Sequence, residues 1–132
     1  MIKFFLEIEP EAKGRPRFSR RGRYVHTYTP RKTVVFEDAL RDLGYPHRPS
    51  RPFNSPLSVA LTFFMKKQKR SRAVDGAPHI VKPDLDNLVK SALDPFNGIF
   101  WKDDSLIFSL QVTKKYADKV GILYQIEEVK GG

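Results

Sequence analysis

The chain has 132 residues, no cysteine, and 24 Lys and Arg against 15 Asp and Glu, for a net charge of +9. That length holds one domain, since two halves would each be too small to bury a stable core. The missing cysteines exclude disulfides and thiolate metal sites, no stretch approaches the length of a membrane span, and the opening Met1–Glu7 run is too short for a signal peptide, so a soluble cytoplasmic protein is expected.

Ile2, Phe4, Leu6 and Ile8 alternate with Lys3, Glu7 and Glu9, the period of a strand. From Glu11 to Lys32 there are eight basic residues and a single acid, Glu11. This basic arm, rich in Arg, Gly and Pro, reads as a long loop or hairpin carrying Phe18, Tyr24 and Tyr28. Thr29 offers an N-cap oxygen and Pro30 suits a first helical position. Phe36, Ala39, Leu40 and Leu43 then keep helical spacing to Gly44, a natural C-terminal stop. After a proline-rich connection (Pro46, Pro49, Pro52, Pro56), Leu57, Val59, Leu61, Phe63 and Met65 alternate as a second strand. Five of the seven residues from Lys66 to Arg72 are basic and none is acidic, opening a basic loop over 66–82. Clusters of this kind focus positive potential on a polyanion, most commonly nucleic acid.

A second helix is expected over roughly Asp86 to Phe96, with Leu88, Val89, Ala92, Leu93 and Phe96 on one arc and Asn97-Gly98 ending it. Leu106, Phe108, Leu110 and Val112 form a third strand, Ala117-Asp118-Lys119 a turn, and Ile122, Tyr124 and Ile126 a fourth strand. The order β-α-β-α-β-β predicts a single α+β domain, a four-stranded mixed sheet with two helices packed on it.

The segment Lys82-Pro83-Asp84-Leu85-Asp86-Asn87-Leu88-Val89-Lys90 carries the most chemistry. Carboxylates at i and i+2 share a cation only where the backbone between them is extended or at a helix edge; within a regular helix they point about 200° apart. Pro83 biases Lys82 towards extended geometry, and Asp84 suits an N-cap, so the condition can be met. Ordinary capping explains Asp84 equally well. Lys90 lies one turn after Asp86 on the same face, and Asp103-Asp104 supplies a second acidic pair at the entry to the third strand. Hard oxygen donors without cysteine favour Mg²⁺ or Mn²⁺ over zinc, whereas Asp104 as a mere turn residue is the plainer alternative. A calcium EF-hand loop fails because Leu88 and Val89 stand where Asp or Asn and Gly are needed. His26, His47 and His79 lack ligand spacing and read as surface or turn residues. No phosphate-cradling glycine motif is present, so no nucleotide cofactor is expected.

Lys82-Pro83-Asp84-Leu85-Asp86-Asn87-Leu88-Val89-Lys90, followed by Leu93-Asp94, Asn97-Gly98 and Trp101-Lys102-Asp103-Asp104-Ser105, resembles the signature of the RusA family of small, dimeric, magnesium-dependent Holliday junction resolvases of bacteria and their prophages. The resemblance is specific over about residues 79 to 107 and elsewhere is one of layout. It implies that Asp84, Asp86 and Asp104 make the metal site over the acidic region 84–104, that Lys90 is needed for cleavage, and that Asp103 is a supporting acid.

The expected activity is therefore a Mg²⁺-dependent endonuclease, with Mn²⁺ as a substitute, resolving four-way junctions by paired nicks in recombination and repair. Asp84, Asp86, Lys90 and Asp104 would be catalytic. Arg15, Arg17, Arg20, Arg21, Lys66, Lys67, Lys69 and Arg70 would contact phosphates, positioning DNA without reading its sequence. Paired nicks on opposing strands call for a homodimer. The rival readings are a non-catalytic architectural DNA-binding protein, a metal nuclease for flaps or single strands and, more distantly, a DxD sugar transferase, for whose nucleotide-binding sheet the chain is short.

Overall fold

The computed structural model describes residues 1–14, 17–22, 24–69 and 72–129. The strands are β1 (Ile2–Leu6), β2 (Arg17–Arg21), β3 (Tyr24–Tyr28), β4 (Leu57–Lys66), β5 (Ile107–Ala117) and β6 (Gly121–Glu128), and the helices are α1 (Arg31–Gly44) and α2 (Leu85–Leu93). A four-stranded mixed sheet in the order β1-β6-β4-β5 carries both helices on one face, as the expected α+β class requires. β1–β6 and β6–β4 pair antiparallel, whereas β4 and β5 pair parallel through the long crossover that contains α2. The basic arm is the hairpin alternative: β2 and β3 form their own antiparallel pair, with Arg17 opposite Tyr28.

Alternation along β4 sends Leu57, Val59, Leu61, Phe63 and Met65 into the core against Phe36 and Leu40 of α1 and Leu88 and Ala92 of α2. Phe96, Phe100, Trp101 and Tyr124 fill its centre. The Tyr124 hydroxyl donates to the Ala92 carbonyl at 2.7 Å, so a fully buried polar group fixes α2 on the sheet. Burial pushes the Tyr124 pKa well above 10.0, leaving it a neutral donor.

Several local expectations need correction. Pro30, not Thr29, is the N-cap of α1, and its carbonyl accepts from Thr33 and Val34 instead of a side-chain oxygen doing so. Gly44 keeps right-handed geometry (φ −82°) and continues into a 3₁₀ turn at Tyr45–His47. Its role is close approach, since a Cβ there would lie 2.5 Å from the Phe96 ring. α2 starts at Leu85 and ends at Leu93; Pro95 has no N–H to donate back to the Ser91 carbonyl, so Asp94–Phe96 tightens into 3₁₀ geometry. Gly98, at φ +82°, makes the turn expected of Asn97-Gly98. Leu106 belongs to a 3₁₀ turn before β5 rather than to the strand. His79, expected at the surface, is buried against the Tyr116 ring, with centroids 4.8 Å apart.

Candidate active site at the start of α2

Lys82-Pro83 leads the chain from the basic loop onto α2 through a cis peptide. Asp84 is the N-cap with extended backbone (φ −68°, ψ 145°), as the sequence requires, yet its side chain makes no capping bond. The carboxylate instead accepts from Lys82 Nζ at 2.8 and 2.9 Å. A pair this exposed is worth only ~0–1 kcal/mol, so Lys82 does not tie the carboxylate down. Asp86 follows in the first turn, exposed, and Lys90 lies exposed one turn later. Both carboxylates stand at the positive end of the α2 dipole, which favours negative charge there.

Lys114 of β5 holds this corner in place, a role that sequence reasoning missed. Its ammonium donates to the Val81 carbonyl at 2.7 Å and the Pro83 carbonyl at 2.6 Å. The only hint in the chain is parity: Lys114 pairs with Phe63 in β4 and thus falls on the helix-bearing face, where alternation wants an apolar residue. Below it, His79 Nδ1 is buried with no partner among the described residues. Burial first, and the nearby Lys114 second, lower the His79 pKa from 6.5.

The root of the arm is fastened to both helices. Lys13 Nζ pairs with Asp94 at 2.6 Å and Glu37 at 3.3 Å, and its backbone N–H donates to the Asn87 carbonyl. Ser91 Oγ donates to the Glu11 carbonyl at 2.5 Å, and Gly14 N–H to Thr33 Oγ1 at 2.9 Å. Two adjoining hollows share Glu9, Pro10, Lys82 and Pro83; one is also lined by Glu11 and Lys32 of the arm root and α1, the other by Lys66, Lys67 and Lys69 of the basic loop.

The expected DNA contacts fare differently. Lys66, Lys69 and Arg20 are exposed, and Arg17 and Arg21 belong to β2, whereas Arg15 and Arg70 lie outside the described residues. Lys67 is held in ion pairs with Asp75 and, at 3.0 Å, with Asp118, which raise its pKa. Asp103 is the N-cap of the 3₁₀ turn Asp104–Leu106 and accepts from the Ser105 N–H at 3.3 Å; hydrogen bonding from the Ser105 side chain first, and its N–H second, lowers the Asp103 pKa. Asp104 is exposed. It sits just before the Ile107 end of β5, whereas Asp84 follows Pro83, which Lys114 holds; seven residues at ~3.3 Å each put roughly 23 Å of strand between Ile107 and Lys114. One chain thus brings Asp84 and Asp86 together but not Asp104, and no group of three acids or histidines among the described residues is placed to hold a metal.

The family model for the endodeoxyribonuclease RusA matches residues 7–127, nearly the whole chain. The chain belongs to the RusA endodeoxyribonuclease family. As a member it is an endodeoxyribonuclease, a phosphodiester hydrolase of Holliday junction resolvase type. The chain is also 34% identical over 137 residues to "Uncharacterized protein YqaN" of Bacillus subtilis (strain 168), covering 97% of this chain and 96% of that protein. No helix among the described residues is long and apolar enough to cross a membrane.

Proposed function

We propose that this RusA-family protein is a cytoplasmic, homodimeric, Mg²⁺-dependent endonuclease that nicks opposing strands of a four-way DNA junction, in recombination or repair, with Asp84, Asp86 and Asp104 as metal ligands. The observation that carries this reading is Asp84: an N-cap residue whose carboxylate does not cap its helix but takes an exposed ammonium, two residues before a second exposed carboxylate. Two hard oxygen donors at a helix start fit Mg²⁺, which keeps several waters and accepts one or two carboxylates beside a phosphate oxygen. Asp103 is occupied as a cap and is a weaker candidate. The cation supplies neutralisation of the scissile phosphate and a lowered pKa for the attacking water.

The chain's own side chains do the rest. Lys90, exposed one turn after Asp86, places a positive charge for the developing charge on phosphate. Lys66, Lys69 and Lys82 line the approach to the acids, and Arg20 and the hairpin extend the basic surface, giving phosphates a path towards the carboxylates. Lys67, committed to two aspartates, contributes less.

A labelled four-way junction, incubated with and without Mg²⁺ beside a linear duplex, tests the proposal. Cleavage should be confined to the junction with metal and be severely reduced by Asp84→Asn, Asp86→Asn, Asp104→Asn or Lys90→Ala. Binding without metal should persist or tighten in the Asn variants, because a charge repelling phosphate has gone. Asn caps a helix almost as well as Asp, so an Asp84→Asn protein that cuts at the parental rate would return Asp84 to a capping role and sink the metal site. Flap or single-strand cleavage that outpaces junction cleavage would instead move the substrate.

A further inference from the structure

We propose that Lys13 is a positioning residue: held by Asp94, its ammonium locks the root of the basic arm onto α2, so that DNA gripped by the arm meets Asp86 and Lys90 at one fixed offset. This rests on the reading of α2 as the cutting helix.

Residues 11–13 lie along one face of α2. Ser91 Oγ donates to the Glu11 carbonyl, the Lys13 N–H donates to the Asn87 carbonyl, and Lys13 Nζ reaches Asp94 at 2.6 Å. Asn87, Ser91 and Asp94 are spaced i, i+4 and i+7, so three contacts fix about 10 Å of helix. At about 100° per residue, Lys90 stands roughly 40° from Asp94 and roughly 60° from Asn87 around the axis. The arm root therefore borders the stripe that carries Asp86 and Lys90. On its other side the root is tied to α1, with Lys13 Nζ 3.3 Å from Glu37 and the Gly14 N–H donating to Thr33 Oγ1 at 2.9 Å. A Cβ on Gly14 would lie 2.7 Å from that hydroxyl, so only glycine lets the chain come this close. β2, the first strand of the hairpin, begins at Arg17.

Lys13 is more than a solvated charge. Its side chain is 27% exposed, against 23% for Asp94 and 13% for Glu37. Burial disfavours the ammonium, but the hydrogen bond and charge of Asp94, and then those of Glu37, outweigh it and raise the pKa above 10.5. Glu37 is shared in turn with Arg41 at 3.4 Å, and Arg41 Nε donates to the Pro95 carbonyl at 3.2 Å. The network thus joins the arm root, α1 and the far end of α2. A sheltered ion pair adds little net stability over well-packed apolar side chains, but it admits one geometry. Register between grip and cut is what Lys13 supplies.

Two variants separate this role from a direct DNA contact. Lys13→Met removes the ammonium, whereas Asp94→Asn keeps it and weakens its hold. Each should slow single-turnover junction cleavage at saturating enzyme by about 10-fold or more, since a displacement of ~1 Å costs on the order of 100-fold. In both, cuts should spread from the parental positions to neighbouring phosphodiesters. Metal-free junction binding should keep the parental salt slope, without the drop of about 0.9 that a lost phosphate contact brings. Lys13→Arg, which keeps charge and donors, should restore the positions and most of the rate. Val59→Ala, a cavity in the sheet's core, should lower Tm and leave the cut positions alone. Parental rates and positions in both variants overturn the positioning role. So does a loss confined to Lys13→Met, which with a lower salt slope would make Lys13 a phosphate contact. Should Lys13→Met not fold, Asp94→Asn and Lys13→Arg still decide.

Hydrogen exchange reads the lock without cleavage. The Lys13 and Gly14 amides should exchange faster in Asp94→Asn by on the order of 10-fold, while amides of β4 keep the parental rate. Unchanged exchange at both amides overturns the lock even where cleavage falls. A parent that cuts no junction with Mg²⁺ overturns the functional reading instead, and exchange still decides the lock.

Discussion

Replacing Lys114 by Met keeps the length and packing of the side chain but removes the ammonium that holds the Val81 and Pro83 carbonyls. A hydrogen bond to a charged group contributes about 1.5–3 kcal/mol in sheltered surroundings. One of these bonds is exposed and the other partly buried, and water can take over the freed carbonyls, so the combined loss should be about 2 kcal/mol. For a domain of this size that lowers Tm by roughly 8 °C. The larger consequence is local. Asp84 follows Pro83 directly, and a displacement of ~1 Å at a reacting centre costs on the order of 100-fold in rate. Single-turnover junction cleavage should therefore fall by one to two orders of magnitude, about 10- to 100-fold. Lys114→Arg, which keeps the donors, should recover most of that loss, and raised Mn²⁺ should rescue Lys114→Met in part by occupying a loosened site. A Lys114→Met protein that melts and cuts like the parent would refute the positioning role. One that melts lower but cuts normally would show that the corner needs no such hold.

Other expectations follow from the same contacts. Because burial lowers the His79 pKa, the unfolded chain binds a proton that the folded chain resists, so stability present above pH 6.5 should be lost as pH falls towards the lowered value; urea melts of His79→Leu should lack that dependence below pH 6.5. Gly44→Ala should destabilise by about 1–3 kcal/mol despite the better helix propensity of alanine, since its Cβ meets the Phe96 ring; a Tm at or above the parental value would show that Phe96 gives way freely. Lys66→Ala and Lys69→Ala should each reduce the log–log salt slope of DNA binding by about 0.9 per lost phosphate contact, whereas Lys67→Ala should change it less; equal slopes for all three would mean that the Lys67 pairs open on DNA.

The parts of this fold written in local periodicity were legible. β4 alternates strictly from Leu57 to Met65, Leu88 and Ala92 mark the buried side of α2, and Asp84 marks the N-cap of that helix. Non-local facts were not. That β4 and β5 run parallel, that Lys114 pairs with Phe63 and reaches back to Pro83, and that Asp104 lies a strand's length from Asp84 depend on which strand sits beside which. Phe108 and Leu110 of the expected third strand are exposed, because alternation reports which face a side chain takes, not whether anything covers it. Gly44 does end α1, but its packing was hidden because the ring it accommodates is fifty-two positions away. His79 looked like a turn residue because Tyr116 comes from another strand.

Among the described residues the β2–β3 hairpin forms a two-stranded unit of its own, with no ladder to the main sheet, and its root is fastened by Lys13 and Ser91. A hairpin so attached is an exchangeable part. Lengthening it costs the fold little more than loop-closure entropy, about 0.6 kcal/mol for each doubling, while the helix bearing Asp84 and Asp86 remains seated on Tyr124. Under the proposed function, in which the arm holds DNA and the acids cut it, the two parts can diversify at different rates. Chimaeras that swap residues 17–28 between relatives are a natural route to enzymes with a new substrate preference on an unaltered catalytic frame.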